Sequence, residues 1–205
     1  MDATSDNQTE LSKLIRGRRM TRAFETTALP EGLIDDLLDT ARRAPSAGNC
    51  QATTFVVLDH PRLASRYWDT TLPEPRRSMF RWQHLLDAPT LILVMTEPGR
   101  YLDRYREPDK VASGRTTLDD WPVPYWWVDA GTVIQNLLLL ISDHGLGACL
   151  FGPFDHEPRL VQEFDLPDDQ RTVATIAVGY RRPGAPGRSA ARARRPRDEV
   201  IVRPE

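Results

Sequence analysis

Along the chain the apolar positions change period several times, and each change marks an element. Residues 9–18 set leucine and isoleucine among charged residues at a spacing that predicts a short helix running into "RGRRMTRAF". After Pro30 and Glu31, the residues Leu33, Ile34, Leu37, Leu38 and Ala41 recur three and four apart and predict a second helix, closed by Pro45. Thr54–Leu58 ("TFVVL") and Thr90–Met95 ("TLILVM") are β-branched or fully apolar runs and predict two short strands, the second buried on both faces. A long apolar helix is predicted over 128–144, stopped by Gly145, and a short one over 157–164. Thr172–Val178 ("TVATIAV") predicts a third strand ending at Gly179 and Tyr180, and Val200–Val202 at the end of the tail is apolar enough to add another.

Two stretches break this pattern. Residues 97–126 are polar, carry Gly99, Pro108, Gly114, Pro122 and Pro124, and hold no sustained period until the aromatic "WPVPYWW"; a stretch of that length predicts a lid or insertion. Residues 181–205 are rich in Pro, Gly and Arg and predict an extended C-terminal arm. Strands mixed with helices, without regular β–α alternation or a glycine-rich loop after the first strand, indicate an α+β fold in one domain over 1–205.

Composition narrows the function classes. The 205 residues are 40% hydrophobic and 27% charged, enough for one substantial core, and the net charge of −2 provides no field to gather nucleic acid or an anionic membrane. Nearly all the cations are arginine, which suits planar recognition of phosphate or carboxylate. Cys50 and Cys149 stand alone, which fits a reducing cytoplasm better than a disulfide framework. The acidic start has no apolar core of a leader, and no run reaches the ~20 residues of a membrane span, so a soluble, unprocessed chain is expected. His60, His84, His144 and His156 lack the close pairing of a metal site, so no metal is expected.

Candidate chemistry lies in four places. Arg18, Arg19 and Arg22 cluster at a predicted bend, where guanidinium groups either grip a phosphate or form a solvated basic face. "APSAGNCQ" (44–51) offers the Ser46 hydroxyl and the Asn49 and Gln51 amides among small residues, either for a ligand or simply as a helix stop; Cys50 has no base beside it and reads as a small hydrophobe. "HGLGACLFGPF" (144–154) passes through three glycines into a turn whose backbone N–H groups can face a ligand or merely link a helix to a strand. The fourth place is the arginine tail, which on composition alone is a solvated or nucleic-acid-binding run.

Taken in order, the arginine cluster, a helix running into "APSAGNCQ" before a strand, and "DAGTVIQNLLLLISDHGLGACLFG" before a "VGY" strand end resemble the nitroreductase family of FMN-dependent oxidoreductases, over about 12–96 and 127–203. The resemblance implies a mixed, mainly antiparallel central sheet flanked by helices, in an intertwined homodimer with FMN at the interface. It implies that Arg18 and Arg22 hold the phosphate and ribityl end with Arg19 beside the ring, and that Met20 stands where a serine is usual. Pro45, Ser46, Ala47 and Asn49 would reach FMN from the partner subunit, with Ala47 and Ala52 replacing a serine and a proline. Arg81, Gln83 and His84 would be weaker candidates to approach the pyrimidine, Gln83 as the amide of this segment. The backbone of Leu150, Phe151 and Gly152 would face the flavin and donate to N5, and Arg192 and Arg194 would sit on the phosphate.

The same resemblance implies that NADH or NADPH reduces FMN, which then passes hydride or electrons to a nitroaromatic, quinone or related small organic acceptor. No side chain is then needed as a catalytic acid or base. Tyr125, Trp126 and Trp127 are candidates to stack on the substrate, the alternative being that they pack on the body or the partner. Other expectations from the resemblance are a specialised dehydrogenase, a dehalogenase, a flavin-fragmenting enzyme, or a protein that stores or senses FMN without turnover.

Overall fold

A computed structural model describes residues 9–184, 187 and 191–204. Helix α1 (Glu10–Gly17) leads to an extended stretch and then α2 (Leu33–Ala41); strand β1 (Thr53–Leu58) is followed by α3 (Pro61–Thr71), β2 (Thr90–Thr96) and α4 (Gly99–Tyr105). The long helix α5 (Tyr125–Asp143), strand β3 (Gly147–Phe151), helix α6 (Glu157–Phe164), strand β4 (Arg171–Gly179) and a turn of helix α7 (Arg197–Val200) complete the order. The four strands form one antiparallel sheet in the order β1-β2-β4-β3.

Strand β2 shows why the sheet sits in the middle. All seven of its residues are buried, so it must be covered on both faces. Its side chains alternate between two cores. Ile92 and Val94 join Ala174, Ile176 and Val178 of β4 under α2 and α5, where Ile34, Leu37, Leu38, Val133, Ile134, Leu137 and Ile141 supply the helical stripes. Leu91 and Leu93 point the other way, to Tyr67 and Trp68 of α3 and Leu160 of α6. Tyr67 brings its phenol into that second core, where it pairs with the Thr175 hydroxyl at 2.9 Å. A third, small cluster of Cys50, Ala52, Tyr101, Trp121 and Trp126 lies apart from both and carries the segment after β2.

Most predicted elements are present, with three corrections. Helix α5 begins at Tyr125, so "YWW" belongs to its first turn and not to a loop. Residues 97–126 contain α4 and two single turns of 3-10 helix at Val111–Ser113 and Leu118–Asp120, more regular structure than their composition suggests. The apolar tail residues Val200–Val202 add no strand: Val200 ends α7 and Ile201–Val202 are exposed. Helix α3 escaped the pattern because its apolar residues are interleaved with arginines, but Pro61 at its first position and the His60 ring accepting from Arg62 N–H define its start. Arg181 of the arm forms a bridge to Phe24 and donates to the Leu146 carbonyl, tying the start of the arm to the entry of β3.

Burial pushes the Tyr67 phenol up to about 12 against an ordinary value near 10, while its hydrogen bond to Thr175 works in the opposite direction. Its neutral form is therefore favoured by folding, and that contribution is complete below pH 10 and disappears as pH rises toward about 12. Urea unfolding should accordingly show stability falling between pH 10 and 12 in the wild type and falling less in Tyr67→Phe. At neutral pH Tyr67→Phe leaves the Thr175 hydroxyl unpaired and should destabilise by about 1–3 kcal/mol.

Candidate functional site

Strand β3 is an edge of the sheet, and the chain from Arg18 to Phe24 runs beside its free side. Met20 forms a parallel bridge to Ala148, and Thr21 N–H donates to the Ala148 carbonyl at 2.8 Å. The Met20 side chain turns inward: it packs against the first core, and its Sδ accepts from Leu150 N–H at 3.5 Å. Met20 offers no hydroxyl at this position, and its thioether takes up the Leu150 N–H that was expected to donate to the flavin. This edge delivers Arg22 to a cavity of about 350 Å³ lined by Tyr67, Trp68, Phe80, Trp82, Leu150, Phe151, Gly152 and Phe154, among others. The Arg22 guanidinium lies 5.4 Å from the centre of the Trp82 ring, and Phe151 stacks on Trp68 at 5.9 Å.

The wall is apolar, with a few polar groups aimed from its rim. Among the described residues the indole N–H groups of Trp68 and Trp82 are buried without an acceptor. Gly152 has no side chain because the Phe154 ring occupies that space: a Cβ there would lie 2.9 Å from it. The close approach that glycine permits is used, on that face, by the protein's own phenylalanine.

Other expected residues divide sharply. Arg18 caps α1 through its backbone and is half-buried, but Arg19 is exposed and its guanidinium turns back to the Arg16 and Arg18 carbonyls at 2.5 and 2.9 Å, away from the cavity. The Gln83 amide is committed to the Arg77 and Phe80 carbonyls at 2.8 and 2.7 Å, Arg81 lies on Trp82, and His84 pairs with Asp87 at 2.7 Å. Of this segment it is Trp82, not Arg81, Gln83 or His84, that is among the residues lining the cavity. Arg192 and Arg194 are exposed and form no ion pair with another described residue. Tyr125 and Trp127 are partly exposed, at 42% and 38%, whereas Trp126 is buried against Tyr101 and Trp121, so its ring is core and cannot stack on a substrate.

The loop Ala44–Gln51 lies at the opposite edge of the sheet, leading into β1. Gly48, Asn49 and Gln51 all have left-handed backbone angles, φ +63, +59 and +50, so the loop doubles back on itself. Ser46 closes it by accepting from Gln51 N–H at 3.1 Å and, through its carbonyl, from Asn49 N–H at 2.8 Å, which leaves the Ser46 O–H to donate outward. Asn49 is exposed, and Pro45 accepts from Thr132 of α5 through its carbonyl at 3.4 Å. Three strand spacings separate this edge from β3, about 14 Å before the loops are counted.

One buried carboxylate holds the loop. Asp129, on the inner face of α5, accepts from Ala47 N–H and from the Tyr101 hydroxyl of α4, both at 2.7 Å and both on Oδ2. Arg104 of α4 adds a bond to the Gly48 carbonyl at 2.7 Å and is itself fixed by Asp109. Tyr105 packs directly over Gly48. Segment 97–126 thus clamps the loop of its own chain. Burial, reinforced by the nearby Asp129 carboxylate, pushes the Cys50 thiol up to about 11, which supports the expectation that it is inert. Asp129 itself is missed by sequence reasoning, although a lone acid at the head of the apolar stripe Ala130, Val133, Ile134, Leu137 was the available signal. Asp129→Leu should destabilise by about 1–3 kcal/mol and accelerate amide exchange at Ala47, while Asp129→Asn, which keeps an acceptor, should do little; thermal unfolding with hydrogen exchange reads both.

No group of three His, Cys, Asp or Glu among the described residues is placed to hold a metal, and no described helix is long and apolar enough to cross a membrane. Comparison with known proteins matches this geometry. The chain is 28% identical to a Thermus thermophilus protein named NADH dehydrogenase, covering 80% of this chain and 82% of that one. It is 26% identical to a 4-nitrobenzoate reductase of Pseudomonas putida, covering 83% and 85%. In fold it is similar to a nitroreductase-like protein of Streptococcus mutans (TM-score 0.73, 20% identity, 94% and 97% covered). It is also similar to a candidate nitroreductase of Exiguobacterium sibiricum solved in complex with FMN (TM-score 0.71, 18% identity, 98% and 100% covered). A family model for the nitroreductases spans residues 15–180, and the chain therefore belongs to the nitroreductase family.

Proposed function

We propose that this protein is an FMN-dependent oxidoreductase that takes reducing equivalents from NADH or NADPH and delivers them to a nitroaromatic, quinone or related small organic acceptor, working as a homodimer. The observation that carries the reading is the cavity at the free edge of β3, where the Leu150–Gly152 turn, the Arg22 guanidinium and the aromatic residues Trp68, Phe80 and Trp82 line one largely apolar slot. These residues fit FMN: an apolar, aromatic-lined space for the ring, with the Arg22 cation beside it. Membership of the family and the FMN complex of a structural relative support the same cofactor.

When bound, FMN supplies the hydride chemistry, and the protein positions it and shapes the charge around it. Leu150–Gly152 present backbone to the ring. Arg22, held half-buried against Trp82, places a positive charge at the cavity and stabilises negative charge there, where the low dielectric strengthens it. Arg18, Arg192 and Arg194 are exposed or half-buried cations available to the phosphate, whereas the Arg19 guanidinium is engaged by the Arg16 and Arg18 carbonyls. Because the Ser46–Asn49 loop lies at the far edge of the sheet, one chain does not fold it over its own cavity; Pro45, Ser46, Ala47 and Asn49 of the partner subunit supply that contact in the homodimer. The relatives named for 4-nitrobenzoate make a nitroaromatic the first acceptor to try.

The purified protein should be yellow, with flavin absorption in the visible, and should oxidise NADH or NADPH faster when 4-nitrobenzoate is added. Bound FMN that neither nicotinamide reduces would leave only a storage or sensing role. Arg22→Ala should weaken FMN binding by roughly ten- to a hundredfold, as loss of a charge-assisted contact, measured by fluorescence titration of the apoprotein; unchanged affinity would remove Arg22 from the site.

A further inference from the structure

Phe154 is the most conspicuous side chain of the cavity that nothing above employs. It is 82% exposed, an unusual state for a phenylalanine, and its backbone is left-handed at φ +44. A bulky non-glycine residue is strained in such a conformation, which persists where the surrounding chain imposes it. Here the imposition is visible: Pro153 fixes the preceding backbone, and α6 follows immediately from Glu157, with Phe154–His156 forming a turn of 3-10 helix that feeds it. The strained residue throws its ring back over Gly152, in contact with the backbone that lines the cavity.

Tyr67, Trp68 and Phe151 of the second core line the same cavity, yet the Phe154 ring is not packed into that core. The ring instead stands at the cavity mouth, with one face against Gly152 and the remainder open to solvent. An exposed aromatic face at the rim of an apolar slot is suited to a planar ligand, through apolar contact and offset stacking.

We propose that Phe154 is a specificity-determining residue: its ring forms the outer wall of the acceptor site and favours planar aromatic acceptors over acceptors without an aromatic face. This rests on the oxidoreductase reading above. The chemistry of transfer is unchanged by Phe154; what it sets is how long and in what orientation an aromatic acceptor lies at the cavity mouth.

The experiment compares kcat/KM for 4-nitrobenzoate with kcat/KM for ferricyanide, an acceptor without an aromatic ring, in flavin-loaded wild type, Phe154→Ala and Phe154→Tyr. Loss of one stacked aromatic contact should lower the 4-nitrobenzoate to ferricyanide ratio about tenfold in Phe154→Ala, chiefly through KM, and Phe154→Tyr should restore it. A ratio unchanged in Phe154→Ala overturns the proposal. So does an equal fall for both acceptors, most directly if gel filtration shows that the variant has lost its oligomeric state, since the ring would then be packing between subunits. A wild type that binds no FMN defeats the oxidoreductase reading as well, and the visible spectrum shows this before any acceptor is added.

Discussion

The arrangement of this molecule depends on a single buried carboxylate. Asp129 lies on the core side of α5, and its Oδ2 accepts from two donors that belong to different parts of the chain, the Ala47 amide and the Tyr101 hydroxyl. A carboxylate in that position is costly unless it is hydrogen-bonded, and the bonds that satisfy it also decide where the 44–51 loop and the α4 segment go. Tyr101 is in turn fully buried between Trp121 and Trp126 in edge-to-face contacts, so the insertion after β2 and the loop before β1 form one unit with the head of α5. The loop's left-handed residues are held in a shape that small side chains permit and Asp129, Arg104 and Tyr105 enforce.

The sheet then separates this unit from the cavity. The loop before β1 and the Leu150–Gly152 turn of β3 are attached to opposite edges of the sheet. In the homodimer proposed above, a two-fold pair of chains would bring the loop of one to the cavity of the other. Segment 97–126, expected as a lid or insertion, packs on the 44–51 loop of its own chain through Arg104 and Tyr105.

Much of this was legible in the sequence, for physical reasons that differ by element. The buried strand β2 and the helix α5 declare themselves through continuous or periodic apolar runs, because their environment leaves no room for polar residues. The arginine cluster, the small-residue loop and the glycine turn were each ambiguous alone and informative in order. What was not legible depends on tertiary direction. That Trp126 points inward while Trp127 and Tyr125 point out is set by where the first turn of α5 meets Tyr101 and Trp121. That Gln83 spends its amide on the Arg77–Phe80 turn while Trp82 faces the cavity is likewise a matter of local winding. Phe154 was hidden for the opposite reason, since its residue type argues against the backbone conformation it adopts.

The most direct test of the account is a crystal structure of the FMN-loaded protein. The account expects each flavin ring to lie against Leu150, Phe151 and Gly152 of one chain, with Arg22 of that chain near its polar end and Ser46 and Asn49 of the partner subunit within contact distance. A flavin that meets both the glycine turn and the 46–49 loop of the same chain, or one that lies away from the β3 edge altogether, would contradict it.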